Sequence, residues 1–284
     1  MFSPYYAWAR RGGNAAQPAA DNHCALNVAL YSRQAKRWAM TERGQRHCSR
    51  SAVEFNIGPS QLQWDGRSLI IHIDEVCMPI PYRIKGRIRL EPRQLFNFST
   101  PLDGAGKHRW GPLAPHARID VDLQHPAQRW KGHAYLDSNE GDEPIANAFT
   151  EWDWSRSQMK DGSTAVLYDV EPETPAQRGQ ASSPASAGKV LALRFQPNGE
   201  VTPFEPPPTQ HLRRTLWGIN RRMRSDGPVE VSQQLEDTPF YQRAVLQSTL
   251  LGETVSSFHE TLNVPRLVSP VVQAMLPWRM PRRG

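Results

Sequence analysis

No apolar run in this 284-residue chain approaches the ~20 residues that a membrane-spanning helix needs, and its mean hydropathy is −0.62. The stretch from Phe2 to Arg11 lacks the apolar core of a secretory signal, so no leader of that kind is expected there. Cysteine is scarce. Cys24, Cys48 and Cys77 form an odd, widely spaced set without a CxxC, which excludes a disulfide framework and a cysteine-based zinc site. His47 and Cys48 are neighbours, but adjacent strand residues point opposite ways, which argues against joint ligation of a metal. A reducing cytoplasm is the simplest setting to expect. No serine or cysteine stands in a nucleophile motif, and no nucleic-acid recognition signature accompanies the net charge of +6. That excess is spread as single Lys and Arg residues. It reads as a solvated surface and also suits a negatively charged membrane face.

Helical periodicity is nearly missing, and short alternating runs take its place. Strands are expected at Ala25–Tyr31, Lys36–Thr41, Val53–Ile57, Gln61–Trp64, Ser68–Glu75 and Tyr82–Leu90, with Asp65-Gly66 as a hairpin turn. A second series opens at Trp152–Arg156. It continues through Ser163–Val170, Lys189–Phe195, Leu212–Ile219 and Pro228–Gln234 to Thr238–Thr249, read as the last core strand. The Pro/Ala/Ser-rich stretch at about 171–188 reads as a loop within a hairpin. Even FSPYYAWARR, aromatic from its start, reads as sheet. Many short strands between Gly and Pro turns predict an all-β sandwich or barrel.

The most informative stretch runs from His108 to Arg156. Arg118–Leu123 (RIDVDL) alternates strictly, and so does the run from Trp130 to Asp137, with His125-Pro126 as a hairpin connection. On the second run Lys131, His133, Tyr135 and Asp137 share one face. A phenol and a carboxylate therefore stand side by side. His108 and Trp110, also two residues apart, are read on a preceding Gly-containing loop. An acid, a base and two aromatic rings can act on an electron-rich apolar substrate; the alternative is a structural set in which Tyr135 lies at a rim and Asp137 opens the turn DSNEG.

HRWGPLAP, AYLDSNEGD, WDWSR, LEDTPFYQR and SPVVQAMLPWRMPRR, in that order, resemble the carotenoid 1,2-hydratases (hydroxyneurosporene synthases) of purple phototrophic bacteria, and the likeness runs from FSPYYAWARR to the C-terminus. The resemblance implies two lipocalin-like, calycin-type β-barrels in tandem, over residues 1–147 and 148–284, with the catalytic residues in the first. The weak internal repeat is not visible in the sequence itself, and the family's usual earlier aromatic-rich segment is not seen ahead of this start. The implied reaction adds water across the terminal C=C of an acyclic carotenoid such as neurosporene or lycopene, giving a 1-hydroxy tertiary alcohol of the spheroidene and spirilloxanthin type. The resemblance assigns the acid to Asp137, with His108, Trp110 and Tyr135 as its companions. Trp110 and Tyr135 would turn ring faces to the developing cation. His108 would either bond Asp137 or position the water and take its proton; both roles stay open. Hydration is redox-neutral, and no cofactor or metal is implied.

The tail LVSPVVQAMLPWRMPRRG combines apolar residues with Trp278, Arg279, Arg282 and Arg283. It reads either as a membrane-docking segment, placing the protein peripherally on the cytoplasmic side, or as a last segment packed on the fold. The expected partners are an acyclic carotenoid, water and a membrane surface. Two other classes fit the same features: a non-catalytic lipocalin-like carrier of carotenoid or lipid, and a related enzyme acting on a different isoprenoid or ester.

Overall fold

The computed structural model describes residues 3–11, 19–32, 36–172 and 188–283, so most of the Pro/Ala/Ser-rich stretch lies outside the described residues. The chain opens on a helix rather than a strand. In α1 (Pro4–Arg11), Ser3 Oγ accepts a hydrogen bond from the Tyr6 N–H at 2.9 Å, and Pro4 occupies the first turn, where its missing N–H costs nothing. The strands then follow the sequence alternation closely: β1 (Cys24–Tyr31), β2 (Lys36–Arg43), β3 (Cys48–Arg50), β4 (Glu54–Ile57), β5 (Ser60–Trp64), β6 (Leu69–Val76) and β7 (Arg83–Pro92). At the β5–β6 turn Gly66 takes φ +91° and the Asp65 carboxylate accepts from the N–H groups of Arg67 and Ser68. After the short β8 (Thr100–Pro101) come two long strands, β9 (His108–His125) and β10 (Ala127–Gly141), joined at Pro126.

Two compact units result, each discontinuous in sequence. The first takes Met1–Arg93, Ala117–Ala134 and Gln273–Gly284; the second takes Gln94–His116 and Tyr135–Val272. One cut near Ile145–Thr150 does not reproduce this division. The long strands β9 and β10 have segments in each unit, and the C-terminal β20 (Arg282–Arg283) returns to pair in parallel with β2. All four candidate residues, His108, Trp110, Tyr135 and Asp137, consequently sort with the second unit rather than with an N-terminal one.

In the first unit, β1 and β2 pair along their full lengths. They contribute Val28 and Ala39 to an apolar cluster with Ile73, Cys77 and Ile84 from β6, β7 and the turn between them. The Cys24 thiol donates to the Asp21 carbonyl at 3.5 Å, and burial, with Cys48 nearby, pushes it up to about 11.

The second unit is organised on a seven-stranded antiparallel sheet. Its members are β11 (Phe149–Gln158), β12 (Thr164–Pro172), β13 (Lys189–Phe195), β14 (Val201–Pro203), β17 (Glu230–Asp237), β18 (Tyr241–Leu250) and β19 (Glu253–Asn263), in the order β14-β13-β12-β11-β19-β18-β17. A ribbon of β15 (Thr209–Leu212) and β16 (Arg221–Arg224) accompanies it. The expected strand at Leu212–Ile219 is instead mostly turn, with Gly218 at φ +71°. Thr238–Thr249 does not hold the last core strand: β19 follows it and lies between β11 and β18. Along β19 the buried positions Ser257, His259 and Thr261 are polar, so the strand carries little hydrophobic signal.

Among the described residues the strand order of each sheet is an open path, and the fold is all-β without a closed barrel. The other α-helices among the described residues are α2 (Val264–Leu267) and α3 (Pro270–Arg279); no described helix is long and apolar enough to cross a membrane.

Candidate active site

Strand pairing gives the seven-stranded sheet two chemically different faces. Trp154 on β11 lies opposite Tyr168 on β12 and Glu260 on β19, and Arg156 lies opposite Val166 and Phe258. Side chains two apart share a face, so Trp152, Trp154 and Arg156 stand with Tyr168 and Phe258 on one side. Phe195 of β13 joins them through its pairing with Thr164.

Three of the four candidate residues, Trp110, Tyr135 and Asp137, meet on this aromatic face. His108 and Trp110 are not on a loop; they open β9, and both are buried, Trp110 to 1% exposure. Gly111 follows because a Cβ there would lie 2.0 Å from the Phe98 carbonyl oxygen, so only glycine lets that backbone pack beside Trp110. The Trp110 ring meets Tyr168 edge-on at 5.6 Å between centroids and Phe195 at 6.3 Å. Its Nε1–H donates to Asp137 Oδ2 at 2.8 Å, and the Tyr135 hydroxyl donates to the same oxygen at 3.3 Å. Asp137 does not open a turn: β10 continues to Gly141.

Burial raises the Asp137 carboxyl from the ordinary aspartate value, while the donors Trp110 and Tyr135 and the charge of Arg156 act in the opposite direction. The Tyr135 hydroxyl is raised well above its ordinary value, first by burial and then by the Asp137 charge.

His108 stands apart from this cluster. Its ring packs on Phe149 at 4.9 Å, and among the described residues its buried Nε2 has no hydrogen-bond partner. The structure contains no hydrogen bond between His108 and Asp137; Asp103 instead accepts from the His108 backbone N–H at 2.8 Å.

Two residues of the site escaped the sequence reading. The Arg156 guanidinium lies 5.1 Å from the Tyr135 ring centroid and 5.5 Å from that of Phe258, within cation–π range of both. Burial lowers its pKa, and the charges of Tyr135 and Asp137 oppose that shift. It also lines an open groove of about 510 Å³ with Gln158, Met159, Lys160, Val245, Ser256 and Phe258. Tyr168 is fully enclosed, and its hydroxyl is raised by burial. The period-two spacing of Trp152, Trp154 and Arg156 in WDWSR was the available signal for Arg156. It places the arginine on the same face as the tryptophans, one of which, Trp154, meets Tyr135 at a tilt with 5.6 Å between ring centroids.

The opposite face of the sheet carries a buried polar network beside apolar clusters built on Leu167, Leu250 and Val255 and on Ala244 and Leu246. Asp153 Oδ1 accepts from Thr261 Oγ1 at 2.5 Å and from the Arg222 backbone N–H at 3.2 Å; Oδ2 accepts from Arg222 Nε at 3.2 Å. His259 Nε2 lies 2.8 Å from the Arg222 carbonyl and therefore carries the proton. Nδ1 is then left to accept from Gln242 at 2.9 Å, which fixes a neutral imidazole. Burial pushes Asp153 up to about 6 and His259 down to about 4.

The model of the carotenoid hydratase CrtC family matches residues 1–284. The acyclic carotenoid 1,2-hydratase of Rubrivivax gelatinosus is 55% identical over 287 residues, covering 100% of this chain and 68% of that protein. Its namesake from Thiocapsa roseopersicina is 49% identical, again over the full chain and 67% of the relative. That from Rhodobacter capsulatus is 35% identical, over the full chain and 95% of the relative. Among solved structures, one described as an AttH from Nitrosomonas europaea superposes with a TM-score of 0.56 at 12% identity, covering 80% of this chain and 75% of that one, a likeness of fold alone. A match along its whole length, with relatives that share up to 55% of its residues, makes this chain a member of the carotenoid hydratase family.

Proposed function

We propose that this protein adds water across the terminal C=C of an acyclic carotenoid, and that Asp137 is the acid. In the proposed step Asp137 gives its proton to the less substituted alkene carbon and leaves a tertiary cation. A water oxygen bonds to that cation, the water's spare proton passes to a protein base, and exchange with solvent discharges that base and reprotonates Asp137 before the next turnover. Atoms and charge balance, and no electron carrier is needed. The observation that carries the reading is Asp137 itself: a buried carboxyl with raised proton affinity, held at one oxygen by Trp110 and Tyr135 on an aromatic face. Oδ1 is left to hold the acid proton. The two donors on Oδ2 bind the carboxylate more strongly than the acid, so they stabilise the charge that appears as the proton leaves. This assigns Trp110 and Tyr135 a positioning role through N–H and O–H beside the ring-face role expected from the family. His108, with its unbonded buried Nε2, is the residue assigned to orient water and accept its proton.

Neurosporene, lycopene and their derivatives are the substrates proposed, in line with the names of the relatives. Incubation of purified protein with lycopene in liposomes made up in H₂¹⁸O, read by mass spectrometry, is expected to give a labelled tertiary hydroxyl. Pigment that is bound and unaltered would replace this reading with that of a carrier.

The finer fold description, two lipocalin-like barrels in tandem, belongs to the same proposal. Its supports are the division into two β-rich units and the fold likeness to the AttH structure.

Peripheral contact with the cytoplasmic face of a membrane is also proposed, with its residues revised. Arg282 is bonded to Glu42 and to the Asn22 carbonyl and is engaged within the fold, whereas Arg279 lies over the Trp38 ring at 4.7 Å and stays exposed. Trp278 is 72% exposed, and with Val271 and Met275 it forms an apolar stripe at helical spacing on α3. Indole rings favour the headgroup level, and such a stripe suits shallow insertion. Liposome flotation of a Val271→Ser/Met275→Ser/Trp278→Ser variant is expected to show most binding lost with the fold intact; unchanged flotation would remove this part of the account.

A further inference from the structure

We propose that a second pocket, sharing no residue with the Asp137 cluster, binds a phosphate group through Arg46 and Arg283 over a floor made by Arg43. The pocket measures about 420 Å³, and its wall contains Arg43, Arg46, His47 and Arg283, with Ser49 and Asn56 as neutral polar groups and no carboxylate.

Local structure brings these cations together. The parallel pairing of β20 with β2 sets Arg283 beside Arg43, fastened by the Gly44 N–H donating to the Arg283 carbonyl at 3.2 Å. A short 3₁₀ turn over Gln45–His47 then presents Arg46 and His47, and β3 and β4 supply Ser49 and Asn56. Arg43 is buried and fixed. Its Nη2 donates to Glu75 Oε2 at 2.8 Å and its Nη1 to the Thr41 carbonyl at 3.0 Å. Gly58, at φ +60°, is what admits it, because a Cβ there would fall 2.0 Å from Arg43 Nε.

The acids nearby are already used. Glu75 is taken by Arg43 and by Ser60 Oγ at 2.7 Å, Glu42 by Arg282 and His23, and Glu54 accepts from Asn56 Nδ2 at 2.5 Å. Arg46 and Arg283 stand without a carboxylate partner among the described residues. A fold gains nothing from holding like charges in one concavity, since their repulsion is only weakened by solvent and salt. A dianionic or diester phosphate reverses that cost: the planar guanidinium fork matches phosphate oxygens, and charge-assisted hydrogen bonds are the stronger kind. The volume leaves space beyond a phosphate for the group esterified to it.

Isothermal titration of the full chain with inorganic phosphate, against sodium chloride at matched ionic strength, tests the site. Saturable one-to-one binding is expected in the wild type, weakened roughly tenfold by each of Arg46→Gln and Arg283→Gln. Both arginines are exposed, so the variants keep the fold, and Arg43 is left untouched. Sedimentation with phosphatidylglycerol vesicles, compared with phosphatidylcholine vesicles, separates the two sources of phosphate. Anionic-vesicle binding that depends on both arginines and is displaced by inorganic phosphate marks a lipid headgroup. Binding of inorganic phosphate without vesicle dependence marks a free phosphate or soluble ester. Equal binding by the wild type and the double variant, or binding of neither probe by the wild type, would overturn the proposal.

Discussion

Replacing Asp137 with Asn lowers the hydration rate by about 10²–10⁴-fold, the range spanned by a lost general acid, and leaves thermal stability unchanged or slightly raised. The side chains are nearly isosteric. An amide at this position still accepts from Trp110 Nε1 and the Tyr135 hydroxyl, the two bonds that hold the carboxylate now, but it has no carboxylic proton to give. It also removes the cost of keeping an ionisable group in a buried place. Rate and stability should therefore separate, which a merely structural role would not allow. The pH dependence follows from the same geometry. The acid form is the working form, so turnover falls as pH rises through the Asp137 pKa. Burial raises that value and Arg156 lowers it, so Arg156→Met is expected to carry the alkaline limb to higher pH. Near-wild-type hydration by folded Asp137→Asn protein would remove Asp137 from the role of acid.

The largest expected loss of stability lies on the other face of the same sheet. Arg222→Met removes the cation that Asp153 faces and leaves a buried carboxylate without its Nε–H donor. Breaking a buried pair in this way costs about 3–5 kcal/mol. The loss should be full at pH 7.5 and smaller at pH 5, because Asp153, already pushed up to about 6, takes a proton there instead of a charge.

The wild type should show a compensated profile. The raised Asp153 binds its proton more tightly in the folded chain, so its contribution falls as pH rises from ~3.9 to about 6. The depressed His259 does the reverse, since the unfolded chain binds the extra proton. Its contribution rises from about 4 to ~6.5. Over the shared window the two slopes cancel. Asp153→Asn would remove the opposing slope of Asp153, and the histidine then contributes on the order of 3 kcal/mol of loss on acidification through that window. Urea unfolding at several pH values reads both effects. Equal destabilisation by Arg222→Met at pH 5 and pH 7.5 would mean that Asp153 is not the group left unpaired.

The strand content was legible wherever burial alternates with apolar side chains, as in RIDVDL and in the run ending at Tyr135 and Asp137. That same alternation put the phenol and the carboxylate on one face, where the structure joins them through a shared oxygen. It failed where the buried face is polar. Ser257, His259 and Thr261 make β19 look like surface, although they bind Ser157, Gln242 and Asp153 in the interior. Aromatic residues drew the N-terminus toward sheet, while Ser3-Pro4 carried the start signal of α1. Distance along the chain hid the rest. Nothing local ties Trp110 to Asp137, Arg156 to Tyr135, or the C-terminal Arg282 to Glu42; these contacts exist only once the strands are paired. The tail illustrates this best: four residues read as one docking group are divided by the fold among ring stacking, ion pairing, an exposed stripe and a basic pocket.

Difference infrared spectroscopy of wild type against Asp137→Asn, followed through a pH titration, tests the central claim most directly, because a protonated carboxyl has a carbonyl stretch that its anion lacks. The account predicts that the Asp137 acid band persists above the ordinary aspartate midpoint of ~3.9, and that Arg156→Met moves its midpoint higher still. A band that is lost at or below that ordinary midpoint, or that ignores the removal of Arg156, would contradict the assignment of Asp137 as an acid made by burial on the aromatic face of this sheet.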